Sequence, residues 1–277
     1  MYEQHYGLTE RPFSLNPDPS FLYPSRKHAA ALTALEYGIA VQATIVVITG
    51  EVGSGKTTLI RCLLQRLDQG FAVGLVANTN ERYQSLLPWI CLALEIDAAE
   101  SNEVDLYEAF RQFVIEQYGA GRRTLLIVDE AQNLSHDALE ELRTLSNLNG
   151  GKDLVLQIIL AGQPELAEKL ARPEMRQLLQ RVSMSYTLGR FKLFETGEYV
   201  RHRLKVAGGV ESTFDDYACA AVHHLAAGIP RLINTVCDRA LVHGYAEDLS
   251  RIGLKTVLDV YDEMKSAGLN ILDGAHC

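Results

Sequence analysis

The chain has 277 residues, 47% of them hydrophobic and 22% charged, with a formal net charge of −9. This is the balance of a soluble globular protein with room for one or two domains and a full core. It excludes a membrane-spanning helix, since no apolar run approaches the roughly 18 residues required, and it opposes nonspecific attraction to nucleic acid over the whole surface.

The opening, MYEQHYGLTERPF, lacks a basic region followed by an apolar stretch, so it carries no secretory signal pattern. The segment 12-PFSLNPDPSFLYPS-25 holds four of the eight prolines and is predicted to be an extended, ordered strap. Next, 44-TIVVIT-49 is an apolar, β-branched run that predicts a strand, followed by glycines and by Leu59, Ile60, Leu63, Leu64 and Leu67 at helical spacing. A second strand is predicted at 71–78, then a helix with Tyr83, Leu86, Leu87, Ile90 and Leu94 on one face, and another over about 105–118. The strand 124–128 follows, then a helix from about 136 with Ser135 as N-cap. Strands at 154–162 and 183–188 complete the set. Strands alternating with helices, apolar enough to be covered on both faces, predict an α/β fold with a five-stranded parallel sheet. After residue 190 the strands stop, and 195–207, 215–227, 230–245 and 253–266 all read as helices, with Gly228 closing one and Pro230 opening the next. The chain thus divides into a strap and helix at 1–43, an α/β domain at 44–190 and a small all-helical domain at 191–277. The basic clusters Arg122-Arg123 and Arg201, Arg203, Lys205 read as solvated surface. The five cysteines, 62, 91, 219, 237 and 277, form no CxxC pair and read as buried, reduced thiols of a cytoplasmic protein.

Residues 50–57, GEVGSGKT, fit G-x-x-x-x-G-K-[ST] in full and lie between an apolar strand and a helix. Gly50, Gly53 and Gly55 permit a backbone that turns N–H groups toward a phosphate. The helix N-terminus adds favourable partial charge. Glu51, Val52, Ser54 and Thr58 complete the cradle around a triphosphate, Lys56 reaches the β- and γ-phosphates, and the Thr57 hydroxyl ligates Mg²⁺. The acids Asp129 and Glu130 end the strand 124–128, and in a P-loop fold metal and nucleotide sit at the carboxyl ends of the parallel strands. Neighbouring side chains on a strand diverge. Asp129 is therefore assigned to Mg²⁺ through a water, and Glu130 to activating the water that attacks the γ-phosphorus.

A strand intervenes between the P-loop strand and the Asp-Glu strand, an arrangement that resembles the additional-strand, catalytic-glutamate class of P-loop ATPases, which includes the AAA+ proteins. That resemblance implies further sites. Gln163, in 161-AGQPEL-166, occupies the place of a polar first sensor of the γ-phosphate or attacking water. Arg231, in 228-GIPRLIN-234, stands as the second sensor, a guanidinium at a helix start through which the helical domain, as a lid, would read the phosphates. An arginine finger acting on a neighbouring subunit is expected in 172-RPEMRQLLQR-181, with Arg181 preferred and Arg176 next. The strap either walls the adenine, with Phe13, Leu15, Pro17 and Tyr23, or packs on the protein alone.

The segments 2-YEQHYGLTERPFSLNPDPSFLYPSRKHAAALTALEYGI-39, 125-LLIVDEAQNLSHDALEELRTLSNL-148, 161-AGQPEL-166, 176-RQLLQR-181 and 228-GIPRLINTVCDRAL-241 are similar to the general secretion pathway protein A family, the ExeA-type AAA+ ATPases. The resemblance runs from about residue 2 to 265. It implies ATP over GTP, Mg²⁺-dependent hydrolysis, an oligomer that completes each site with an arginine finger, and work at the cytoplasmic face of the inner membrane. The partners implied are the proteins of a secretion, pilus or exopolysaccharide-export machine. Secretion-type members continue into a transmembrane helix and a peptidoglycan-binding domain. This chain ends at 269-LNILDGAHC-277 with neither, as a shorter soluble relative or as one part of a longer protein. The same branch also resembles the TniB-type transposition ATPases, which implies the alternative of an ATP-dependent DNA-binding oligomer.

Overall fold

The computed structural model of the chain describes residues 1–77, 79, 85–97, 102–149 and 154–268. In chain order the elements are α1 (Tyr2–His5), α2 (Arg26–Ala40), β1 (Ile45–Gly50), α3 (Lys56–Arg66), β2 (Phe71–Val76), α4 (Leu87–Ala93), α5 (Glu103–Gly119) and β3 (Arg123–Val128). They continue with α6 (His136–Leu145), β4 (Leu156–Gly162), α7 (Pro164–Leu170), α8 (Arg176–Leu179) and β5 (Val182–Leu188). The last are α9 (Leu193–Val206), α10 (Asp216–Ala226), α11 (Pro230–Ala246) and α12 (Leu254–Ser266).

The five strands form one parallel sheet in the order β2-β3-β4-β1-β5, as the alternation of strand and helix predicts. The apolar runs of β1 and β4 are buried along their whole length, and β3 from Thr124 onward, which is the signature of strands covered on both faces. The edge strand β5 instead alternates, with Ser183, Ser185 and Thr187 exposed. Helices α4 to α8 flank the sheet, and Leu126, Ile158, Phe110, Leu142 and Leu178 are all fully buried in one core. Each such side chain contributes about 1.5–3 kcal/mol by leaving water.

Side-chain caps move several boundaries from their predicted places. β4 begins at Leu156, not 154, because the Asn149 amide accepts from the Val155 and Leu156 N–H groups at 2.9 Å each. The helix predicted from Tyr83 begins at Leu87, where the Glu141 carboxylate takes the N–H groups of Leu86 (2.6 Å) and Leu87 (3.3 Å) and Pro88 fits the first turn; Tyr83 lies outside the described residues. Ser135 caps α6 through Ala138 N, as expected.

By its internal contacts the chain forms two compact units. One is the sheet with its helices, Ala29–Gly50 and Cys62–Leu188; the other contains Met1–His28, Glu51–Arg61 and the residues from Gly189 onward. In this second unit α9 to α12 share a core with the strap: Phe13, Phe21, Val200, Phe214 and Ile233 are buried in it. Arg203 fastens the strap, donating to the carbonyls of Pro12 and Ser14 and stacking on Phe21 at 4.5 Å. The strap is not extended throughout: it turns at Pro12–Phe13, bends at Leu15–Asn16 and forms one 3-10 turn, Pro19–Phe21, started by Asp18. Cys62, Cys91, Cys219 and Cys237 are buried thiols outside any disulfide. Burial raises the pKa of Cys219 to about 11 and pushes Cys91 and Cys237 up as well, so they are inert rather than nucleophilic. Among the described residues no helix is long and apolar enough to cross a membrane.

Candidate active site

Three neighbouring strands bring chemistry to one edge of the sheet. β1 ends at Gly50 and runs on into the glycine-rich loop, β3 ends just before Asp129, and β4, between them, ends just before Gln163. Because the sheet is parallel, all three chain segments leave it on the carboxyl side, where open α/β sheets bind their ligands.

Asp129 is 5% exposed, and its Oδ1 accepts the N–H of Glu130 at 2.9 Å. Glu130 adopts the left-handed conformation, φ 53° and ψ 35°. For a residue with a Cβ this costs energy and needs external support. Thr79 supplies it, its hydroxyl donating to the Glu130 carbonyl at 2.6 Å. The two acids therefore separate through this turn, since β3 has already ended, and not through strand pleating as the sequence suggests. The Glu130 carboxylate is held from two sides at Oε2: Gln132 Nε2 donates at 2.7 Å and Gln163 Nε2 at 3.3 Å. The structure thus joins the predicted water-activating acid to the predicted first sensor.

In the other unit, 51-EVGSG-55 leads into α3 at Lys56. Gly53 and Gly55 have φ of +76° and +103°, a backbone that L side chains avoid. Lys56 is 5% exposed, with Nζ donating to the Glu51 carbonyl at 3.1 Å. Ser54 is buried, and its hydroxyl has no hydrogen-bond partner among the described residues. A bare glycine backbone, an orphaned hydroxyl and a lysine folded over its own loop are what a phosphate chain would fill. Within this unit the Thr57 hydroxyl is a donor type that suits a hard cation such as Mg²⁺; in the sheet unit, the Asp129 carboxylate is another. The Arg231 N–H, at the start of α11, donates to the Gly53 carbonyl at 3.2 Å, and the Arg231 side chain is exposed. The predicted second sensor is thus joined to the apex of the loop.

The other predicted residues have surroundings of their own. Phe13 is 1% exposed, with its ring edge-on to Phe214 at 5.8 Å. Arg181 donates to Ser146 O at 3.3 Å and to the Asn147 side chain. Arg176 is exposed, with no ion pair among the described residues.

Sequence reasoning missed the supports. His28 is 3% exposed beneath the loop, where Nε2 donates to the Ser54 carbonyl at 3.0 Å and Nδ1 meets the Ser25 hydroxyl at 2.8 Å. That pairing fixes the tautomer, and burial lowers the histidine pKa, keeping it neutral. Arg190 grips the Glu51 carboxylate with two nitrogens, at 2.7 and 2.8 Å. Nothing in the spacing of these residues points to the loop. Gln132 does lie inside the acid motif, but many polar residues two positions on would look the same.

Residues 39–170 match the AAA domain family. Over 253 residues, 91% of its length, the chain is 41% identical to general secretion pathway protein A of Aeromonas hydrophila, and it spans about half (46%) of that curated relative. Among solved structures it is similar to the ORC2 protein of Aeropyrum pernix in its ADPNP–ADP complexes, with a TM-score of 0.69 at 19% identity, covering 92% of this chain and 71% of that one. Cdc6p of Pyrobaculum aerophilum gives a TM-score of 0.66 at 16% identity, covering 89% and 71%. These likenesses show the P-loop, AAA-type fold. The chain is an AAA protein and, over nine-tenths of its length, a relative of general secretion pathway protein A.

Proposed function

We propose that the chain binds ATP with Mg²⁺ and hydrolyses it to ADP and phosphate. The observation that carries this reading is a complete GEVGSGKT loop continuing from β1, in a sheet where Asp129 and Glu130 follow β3. Main-chain amides of Gly53, Ser54 and Gly55 take the phosphate oxygens, and Lys56 Nζ exchanges the Glu51 carbonyl for the β- and γ-phosphates. Thr57 and, through a water, Asp129 would hold Mg²⁺, which would supply neutralisation of charge on those oxygens. Glu130 accepts a proton from the attacking water as its oxygen bonds to the γ-phosphorus and the bond to the bridging oxygen breaks. Gln163 orients that water, and Arg231 reads the phosphates for the helices α9 to α12, acting as a lid. An arginine from a second copy completes the site, and Arg176, exposed and with no ion pair among the described residues, suits this role better than Arg181, which its own chain engages.

The 41% identity supports a place in assembly of a secretion, pilus or exopolysaccharide-export system, among that machine's proteins at the cytoplasmic face of the inner membrane. Titration calorimetry with MgATP, followed by a phosphate-release assay, tests the chemistry. Heat of binding and steady phosphate release are expected, and the absence of both overturns the reading.

A further inference from the structure

Gln132 is 9% exposed and both ends of its side chain are used. Its Oε1 accepts the main-chain N–H of Gln163 at 2.9 Å, which fixes the amide orientation, so the opposite end is the NH₂ that reaches Glu130 Oε2 at 2.7 Å. Gln163 Nε2 approaches the same oxygen at 3.3 Å, while Glu130 Oε1 has no hydrogen bond among the described residues. The backbone under Gln132 is fixed too, because Lys169 Nζ donates to the carbonyls of Gln132 (2.6 Å) and Leu134 (2.7 Å). Space for the amide comes from Gly162, where a Cβ would lie 2.9 Å from Gln132 Oε1.

We propose that Gln132 is a positioning residue for hydrolysis, aiming the Glu130 carboxylate and fixing the Gln163 turn through one amide; this rests on the ATPase reading above. Two amides saturate Oε2 and leave Oε1 as the oxygen that receives the water proton. Without the Gln132 bond, Glu130 keeps its left-handed backbone but its side chain loses the stronger of its two tethers. A carboxylate that wanders by an ångström loses rate and not affinity, because it does not grip the nucleotide.

The test uses the full chain and two variants. Gln132→Met matches the shape without the amide; Gln132→Glu keeps the acceptor for Gln163 N–H but sets a second carboxylate against Glu130. Thermal melting, ATP binding and turnover as a function of ATP are measured on each. In a folded variant kcat is expected to fall by about 10²-fold with KM and Kd held within about twofold, and Gln132→Glu to be at least as slow as Gln132→Met. Wild-type turnover in either folded variant overturns the proposal, as does a loss that appears in KM and Kd instead of kcat. A wild-type chain that binds ATP and releases no phosphate overturns the hydrolysis reading itself, and this inference with it.

Discussion

Gly53 and Arg231 compete for one space: the Arg231 N–H donates to the Gly53 carbonyl at 3.2 Å, and a Cβ on Gly53 would lie 2.4 Å from the Cβ of Arg231. Gly53 is required twice, by that approach and by its φ of +76°. A left-handed backbone alone costs an L residue about 1–2 kcal/mol. Gly53→Ala is therefore expected to displace the loop and weaken ATP binding by more than about tenfold, which corresponds to 1.4 kcal/mol. Calorimetric titration measures this directly, and an unchanged dissociation constant would show that the loop does not need the close approach.

Glu130→Gln keeps the shape of the side chain and removes its capacity to accept a proton. Hydrolysis is expected to fall by about 10²–10⁴-fold while MgATP still binds. Asp129→Asn should differ, since Asp129 is assigned to the metal: its effect should deepen as free Mg²⁺ is lowered. The two variants are separated by titrating Mg²⁺ in the turnover assay. A Glu130→Gln protein that turns over near the wild-type rate would falsify the role given to this carboxylate.

The sheet, its parallel sense and the phosphate loop were legible because each is written in contiguous residues. Apolar runs such as 125-LLIV-128 are long enough to state that both faces are covered, and GEVGSGKT carries its own geometry. The supports were not legible because they are made by chain topology. His28 reaches Ser54 across 26 positions and Gln132 reaches Gln163 across 31, with no periodicity linking either pair. Boundaries shifted where side chains from outside the element, Asn149 seven residues before Leu156 and Glu141 from far along the chain, took over backbone groups that propensity assigns to the next strand or helix. The left-handed Glu130 was hidden for a different reason. Nothing in Asp-Glu-Ala-Gln announces a turn, and that conformation persists through the tertiary hydrogen bond from the Thr79 hydroxyl to the Glu130 carbonyl.

Arg176 and Arg181 separate by their partners. Arg181 holds the chain after α6 through Ser146 O and Asn147. Arg181→Ala is thus expected to lower stability by about 1 kcal/mol, one net hydrogen bond, with a modest effect on turnover. Arg176→Ala should leave the melting temperature unchanged and cut turnover by about 10³-fold or more. Mixing Arg176→Ala with Lys56→Ala subunits then distinguishes a finger from a surface charge. Each copy supplies what the other lacks, so activity should return in the mixture. A mixture no more active than its parts removes Arg176 from the site of its neighbour.

His28 makes the loop sensitive to acid. Burial holds its pKa below the ordinary 6.5; the hydrogen bond to Ser54 O and the charge of Glu195 act in the opposite direction, and Lys27 with burial. Between the lowered folded value and 6.5 the unfolded chain binds more protons at this position than the folded one, so unfolding free energy rises with pH across that window. The stabilisation is complete above 6.5 and is eroded as pH falls below it. Protonation adds a donor at Nδ1, where the Ser25 hydroxyl now donates, and breaks the chain of bonds under the loop. His28→Gln retains an N–H for the Ser54 carbonyl and does not titrate. Wild type should therefore lose more stability, and more ATP affinity, than His28→Gln between neutrality and about pH 5. His202 and His223, whose pKa values burial also lowers, are common to both proteins and cancel in the difference. Denaturant melts at a series of pH values provide the comparison, and two parallel curves would mean that His28 does not control the loop.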